Sequence, residues 1–238
     1  MHSTPDVVVI SRRFRGPPDS ANGGYACGLL ARRLAGSARV RLHQPPPLEE
    51  QLSIATHDSA HVAMLRGEQI IAEGVATELA DAVPTPASFD EASDASTRYR
   101  WTTGHPFPGC FVCGTERHTG DGLCIFPGRV PERTVVAAPW VPHPSVCDAA
   151  GHAELEVVWA ALDCPSWFGA LEFANGKPGA LLGQLTARVV RRPAANERCV
   201  VLGWSRGRDG RKLYAGAALF GSDGSLVGNS SAVWIEPK

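Results

Sequence analysis

The sequence predicts an α+β fold of two tandem units, each with one helix followed by an antiparallel meander. The chain has 238 residues, enough for two domains of about 100–120 residues with a hydrophobic core in each. In each half, several strand-like runs accompany one helical pattern. The halves also echo each other at a period of about 150 residues, which indicates a domain duplication. Ala38-Arg39-Val40 and Ala187-Arg188-Val189 each begin a strand that reaches a proline corner.

The first unit is predicted to span residues 1–80. After a loop rich in Pro and Gly, Asn22 suits the N-cap of a helix over about 24–34. Runs of β-branched and alternating residues predict strands over 7–10, 38–43, 51–56, 61–66 and 69–79. We predict a linker over residues 81–104, because this stretch is rich in Pro, Ser, Thr, Asp and Ala and lacks periodicity.

The second unit is predicted to span residues 105–238. Its strand patterns lie at 123–126, 134–140, 180–190, 198–205, 212–220 and 225–235. Asp209-Gly210 and Asp223-Gly224 are strong signals for hairpin turns between the last three of these strands. The predicted helix of this unit covers residues 154–171, with the sequence ELEVVWAALDCPSWFGAL.

This second helix carries a carboxylate on its apolar face. Apolar residues recur with helical spacing from Leu155 to Leu162, and Asp163 continues that face four residues after Trp159. A buried carboxylate costs several kcal/mol unless it is hydrogen-bonded or in contact with water, so we expect Asp163 to border a cleft. Pro165 should bend or end the helix just after Asp163. The alternative is that Asp163 only caps a broken helix or binds a nearby N–H group.

Composition excludes several classes of function. The formal net charge is −1, and the Arg residues are scattered, so neither a nucleic acid nor a membrane surface is an expected partner. The longest apolar run near the N-terminus, at 7–10, is too short for a signal peptide or a spanning helix. Seven Cys residues at irregular spacings favour reduced thiols over a disulfide framework, and we expect a soluble, cytoplasmic protein, either monomer or homodimer.

These elements and two motifs resemble a known family. A strand, a helix and four antiparallel strands curled around the helix resemble the hotdog fold, and two such units in one chain resemble the double-hotdog proteins. The sequence NGGY at 22–25, followed by LLAR at 29–32, is similar to the first half of the acyl-CoA thioesterase II type. The sequence CFVCG at 110–114, with GDGL at 120–123, is similar to the opening of many small hotdog thioesterases.

The resemblance implies a composite site between the two units. Gly23 and Gly24, at the N-terminus of the first helix, would offer backbone N–H groups to a thioester carbonyl. Asp163 of the second unit would act as general base or nucleophile. Asn22 stands where the family often has His, and Asn cannot take up a proton near neutral pH. The residues expected to contact substrate are Tyr25, Trp159, Gln184 and Thr186.

A zinc site or a nucleophilic thiol is a weaker possibility. Cys110 and Cys113 form either half of a zinc site or a buried thiol pair, because no second C-x-x-C or paired His motif follows. Cys164 lies beside Asp163, yet no His is near it in the sequence, so a buried thiol is favoured over a nucleophile. We therefore expect no metal and no cofactor apart from the coenzyme A carried by the substrate.

Three functions remain in order of preference. The first is hydrolysis of an acyl-CoA or acyl-carrier thioester, with the acyl chain between the two helices. The second is a non-catalytic protein that binds acyl thioesters in the same pocket. The third is a hydratase or dehydratase, which ranks last because the second helix carries no His after His152.

Overall fold

An eleven-stranded antiparallel sheet runs through the part of the chain that the structure, a computed structural model, describes, residues 6–238. The first five residues of the predicted first unit lie outside this range. The first half contains β1 (Asp6–Val9), α1 (Gly23–Ala31), β2 (Ala38–Leu42), β3 (Gln51–Asp58), β4 (His61–Arg66) and β5 (Gln69–Ala76). The rest contains α2 (Phe89–Ser96), β6 (Gly128–Arg129), β7 (Val136–Trp140), α3 (Leu155–Ala161), α4 (Cys164–Phe173), β8 (Leu181–Val189), β9 (Cys199–Asp209), β10 (Lys212–Phe220) and β11 (Leu226–Ile235).

The two halves arrange their strands in the same order. The order is β1-β3-β4-β5-β2 in the first half and β7-β9-β10-β11-β8 in the second, with β6 added at the far edge. The halves meet where β2 pairs with β8, and Ala38 lies directly opposite Ala187. The first half is not a simple meander, because β2 pairs with β5 and not with β3. The strand that leaves α1 joins the sheet beside the last strand of its unit.

The predicted linker contains a helix. Helix α2 lies within residues 81–104 and begins with a capping box, in which Ser88 Oγ accepts the Glu91 N–H at 3.1 Å and Glu91 Oε2 accepts the Ser88 N–H at 2.7 Å. Ala92 and Ala95 are fully buried in a small second core with residues of β7 and β9. The low periodicity of this stretch was misleading, because a short helix that buries two Ala side chains leaves little hydrophobic signal.

One predicted strand is also absent from the second half of the described chain. Residues 123–126 are extended but irregular, since Cys124 has a φ of +53° and so cannot continue a β-strand. The Leu123 N–H donates to Phe111 O at 2.8 Å and the Ile125 N–H to Val112 O at 2.9 Å. This segment therefore holds the CFVCG loop in place.

Helices α1 and α3 pack closely against each other across the two halves. A Cβ atom at Gly28 would lie 2.4 Å from Glu156 Cα, and one at Gly24 would lie 2.5 Å from Asp163 Cβ. Both distances are far below ordinary carbon contact of about 3.5–4.0 Å. Glycine at these two positions therefore allows α1 to approach α3 and Asp163 closely.

The main core lies between the sheet and the helices α1, α3 and α4. Its largest fully buried side chains include Phe111, Phe168, Leu30 and Trp140. Within residues 6–238, no helix has the length and apolar character needed to cross a bilayer.

Candidate active site

Asp163 lies in a break between two helices. Helix α3 ends at Ala161, and Pro165 is the second residue of α4, which confirms the predicted break. The Asp163 carbonyl accepts the Ser166 N–H at 3.0 Å and the Ser166 hydroxyl at 2.7 Å. The carboxylate does not cap α4. The break therefore fixes the backbone of Asp163 while leaving its side chain free to turn towards the other half.

The Asp163 carboxylate binds the N-terminus of α1. Its Oδ2 accepts the Gly24 N–H at 2.9 Å and the Asn22 Nδ2–H at 2.8 Å. Asn22 is itself fixed, because its Oδ1 accepts the Tyr25 N–H at 2.9 Å as the N-cap of the helix. The structure thus brings Asn22, Gly24 and Asp163 together across the two halves. Asp163 therefore does not cap the broken helix, and the N–H group that it binds comes from the opposite half of the chain.

The second carboxylate oxygen of Asp163 is unsatisfied. Only 1% of the residue is exposed, and Oδ1 has no hydrogen-bond partner among residues 6–238. Burial, together with the nearby Cys110, raises the pKa of Asp163 to about 7 against the opposing effect of the hydrogen bonds from Gly24 and Asn22. A buried acceptor left without a partner marks a place where a water molecule or a ligand fits.

A mostly apolar cavity of about 220 Å³ adjoins this carboxylate. Asn22, Gly23 and Asp163 form part of its wall. The walls also include aromatic and aliphatic side chains from both halves, namely Leu42, Phe107, Trp167, Leu182 and Trp234. The cavity therefore combines an apolar chamber with one buried acid, as small-molecule sites commonly do.

The two glycines of α1 have different roles. The Gly24 N–H is already bound to Asp163. The Gly23 N–H has no acceptor within residues 6–238, and Gly23 lines the cavity. The N–H group that remains free for a carbonyl oxygen is therefore that of Gly23, where the positive end of the helix dipole also favours negative charge.

The four residues expected to contact substrate do not line this cavity. Tyr25 is buried, and its ring stacks on Phe14 with centroids 4.0 Å apart. Trp159 packs beside Gly28 on the face of α3 that contacts α1. The helical spacing that singles out Trp159 is the spacing of a packed interface, so burial in the core accounts for it.

Gln184 and Thr186 lie farther along β8, opposite Arg41 and Arg39 of β2. The cavity is instead lined by residues 180–183, at the beginning of that strand. A strand rises about 3.3 Å per residue and its successive side chains point to opposite faces, so one to three positions are enough to take a side chain away from the cavity.

Sequence reasoning missed His105 and Phe107, which lie in an irregular segment where no periodicity marks a buried side. His105 is buried, and its Nδ1 accepts the Phe107 N–H at 2.9 Å. Trp167 lies four residues after Asp163, and this helical spacing could have predicted that the two side chains share one face. Its Nε1 is buried and has no acceptor in the described chain.

The chain was compared with protein families, curated proteins and solved structures. No family model matches it, and no curated protein matches it. A protein of unknown function with a hot dog fold from Alicyclobacillus acidocaldarius matches 100% of this chain and 95% of its own length, with a TM-score of 0.66 and 9% identity. The tesB protein of Mycobacterium avium subspecies paratuberculosis matches 98% of this chain and 92% of its own length, with a TM-score of 0.62 and 15% identity.

A third structure, a candidate thioesterase from Novosphingobium aromaticivorans, matches 98% of this chain and 95% of its own length, with a TM-score of 0.64 and 12% identity. At these identities the likeness shows the fold alone. It agrees with the matching strand orders of the two halves and with the helices they enclose. The chain therefore has the double-hotdog fold.

Proposed function

We propose that this protein hydrolyses acyl thioesters of coenzyme A or of an acyl carrier, in the cavity between its two halves. One observation carries the proposal: Asp163 of the second half meets the N-terminus of α1 of the first half, and its free oxygen borders an apolar cavity. A helix N-terminus and a carboxylate on opposite sides of one chamber supply the two groups that ester-type hydrolysis requires.

The residues divide the reaction between them. Asn22 and Gly24 hold Oδ2, so that Oδ1 is left to bind a water molecule. As the water oxygen attacks the thioester carbon, its proton passes to Oδ1 and negative charge develops on the carbonyl oxygen. The Gly23 N–H is the donor for that oxygen, and such a donor typically contributes about 10²–10³-fold in rate. The C–S bond then breaks, and the thiolate takes up the proton from Asp163.

The acyl group of the proposed substrate would lie in the apolar chamber. Its apolar walls fit a hydrocarbon or aromatic acyl chain, while the thiol carrier extends to solvent. The names of the structural neighbours support the same reaction, since one of them is a candidate thioesterase. The seven cysteines are free thiols, which suits the cytoplasm as the compartment we propose.

A non-catalytic acyl-thioester binding protein is the second candidate. The Gly24 N–H already donates to Asp163 Oδ2, so one of the two backbone amides expected to bind the thioester carbonyl is not free. This observation favours a binding protein. The pocket would then hold a thioester without cleaving it.

Thiol release from a panel of acyl-CoAs of increasing chain length distinguishes the two candidates. A hydrolase releases free thiol in repeated turnovers, and a non-hydrolysable CoA thioether of the preferred length competes with the substrate. If no acyl-CoA or acyl-carrier thioester is cleaved although the thioether raises the melting temperature, the protein is a binding protein and the proposed hydrolysis is wrong.

A further inference from the structure

Three cysteines from distant parts of the sequence meet beside the cavity. Cys110 and Cys113 belong to the CFVCG loop, and Cys164 is the first residue of α4. All three side chains are buried and line the cavity, and their Sγ atoms all lie within 4.8 Å of one another. Cys164 supplies the third thiol that the local sequence around the C-x-x-C motif lacks.

The spacing of the sulfur atoms fits a shared metal ion. Cys110 Sγ and Cys164 Sγ are 3.8 Å apart. Two thiolates on one tetrahedral zinc ion, each with a Zn–S bond of about 2.3 Å, lie about 3.8 Å apart. The loop and the start of α4 would therefore need little movement to bind one.

The CFVCG loop is a tight turn that holds Cys110 and Cys113 close together. Cys110 and Cys113 stand at either side of this loop, and the Cys110 N–H donates to Phe107 O at 2.9 Å. The turn closes back on itself, with the Gly114 N–H donating to Cys110 O at 2.9 Å. A side chain at Gly114 would lie 2.4 Å from Pro108 O, so this turn requires glycine there.

The cavity beside the three cysteines has no positively charged wall, because no Lys or Arg is present among the described residues that line it. The unsatisfied Asp163 Oδ1 nearby is a further acceptor. His105 also faces the cavity, but its Nδ1 accepts the Phe107 N–H, so its proton is on Nε2 and that atom is not a ligand in this arrangement.

We propose that Cys110, Cys113 and Cys164 bind one thiolate-preferring divalent cation of the zinc class, with the fourth coordination position open to the cavity and filled by water. Each thiol that binds the ion releases its proton, or is already ionised. Soft thiolate ligands select zinc over magnesium or calcium. Because Cys164 directly follows Asp163, the ion would also tie the CFVCG loop to the residue that positions the acid.

The test begins with the full-length protein purified under reducing conditions. Elemental analysis is expected to find one zinc ion per chain, and replacement by Co²⁺ should give the near-ultraviolet absorption of cobalt–thiolate bonds. The Cys164→Ser variant should lose zinc affinity by more than about 100-fold, since even outer partners of a metal site are worth 10–100-fold. Cys147→Ser, at a half-buried thiol outside the cluster, should bind zinc normally.

Neither measurement depends on enzymatic activity. A wild-type protein that binds neither Zn²⁺ nor Co²⁺ while all seven thiols titrate as free would overturn the proposal. So would a Cys164→Ser variant that binds zinc as tightly as the wild type. If that variant does not fold, the cobalt spectrum of the wild type decides, because its intensity rises with the number of thiolate ligands and should correspond to three.

Discussion

Replacing Gly24 with Ala should separate the two halves of the site. The added Cβ would lie 2.5 Å from Asp163 Cβ and 2.7 Å from Trp159 O, whereas ordinary contact is about 3.5–4.0 Å. The helices must therefore move apart by roughly 1 Å. The bond between the Gly24 N–H and Asp163 Oδ2, now 2.9 Å long, would lengthen beyond hydrogen-bonding range of about 3.2 Å.

The expected loss of activity is larger than the loss of stability. Overpacking costs about 1–3 kcal/mol, and the better helix propensity of Ala returns up to about 1 kcal/mol. A displacement of about 1 Å at a reacting group can cost about 10²-fold in rate. We therefore expect Gly24→Ala to fold with a lowered melting temperature and to lose about two orders of magnitude in kcat/KM for thiol release.

Gly28→Ala is the matched control. Its Cβ would lie 2.4 Å from Glu156 Cα, so it strains the same helix interface one turn away from the cavity. It should lower the melting temperature by a similar amount while reducing kcat/KM by less than about tenfold. Equal losses of activity in the two variants, or a folded Gly24→Ala with wild-type kcat/KM, would refute the role given to the Gly24–Asp163 contact.

Substitutions at three other positions test separate parts of the account. Asn22→Ser keeps an N-cap oxygen, but its shorter side chain loses the amide N–H that reaches Asp163, so thiol release should fall about tenfold or more. Asn22→Ala should also lose about 1 kcal/mol in urea unfolding; equal stability of the two variants would contradict the capping role. Trp167→Ala enlarges the cavity and should shift the best acyl-CoA towards longer chains in kcat/KM profiles; an unchanged profile would place the acyl chain elsewhere. Trp140→Ala removes a side chain that is 2% exposed and should lower the free energy of unfolding by about 3–5 kcal/mol; a loss below 1 kcal/mol would show that this core is loosely packed.

Most of the fold can be predicted from the sequence, because its periodic patterns are strong. The hairpin from β9 to β10 turns at Asp209-Gly210, as predicted, and Gly210 has a φ of +54°. The position of Asp163 follows from one carboxylate on an apolar face and from Pro165 two residues later. Helix α2 is also marked in the sequence, by the pair Ser88 and Glu91, and it was the lack of apolar periodicity that concealed it.

The finer details of the site depend on contacts that have no local pattern. Which glycine keeps a free N–H is decided by the distance between α1 and Asp163, a property of the packed halves. The third thiol of the cysteine cluster lies 54 positions from Cys110 along the chain. No local motif connects residues so far apart, and only the docking of the CFVCG loop against α4 places them together.

The Asp163→Asn variant tests the central claim most directly. Asn is nearly isosteric, and its side-chain oxygen can still accept the hydrogen bonds from Asn22 and Gly24, but the amide left at the cavity cannot take a proton from water. Steady-state thiol release from the preferred acyl-CoA should fall by about 10²–10⁴-fold, while the affinity for the CoA thioether, measured by calorimetry, stays within a few-fold of wild type. Wild-type turnover in this variant would show that Asp163 is not the group that performs the chemistry.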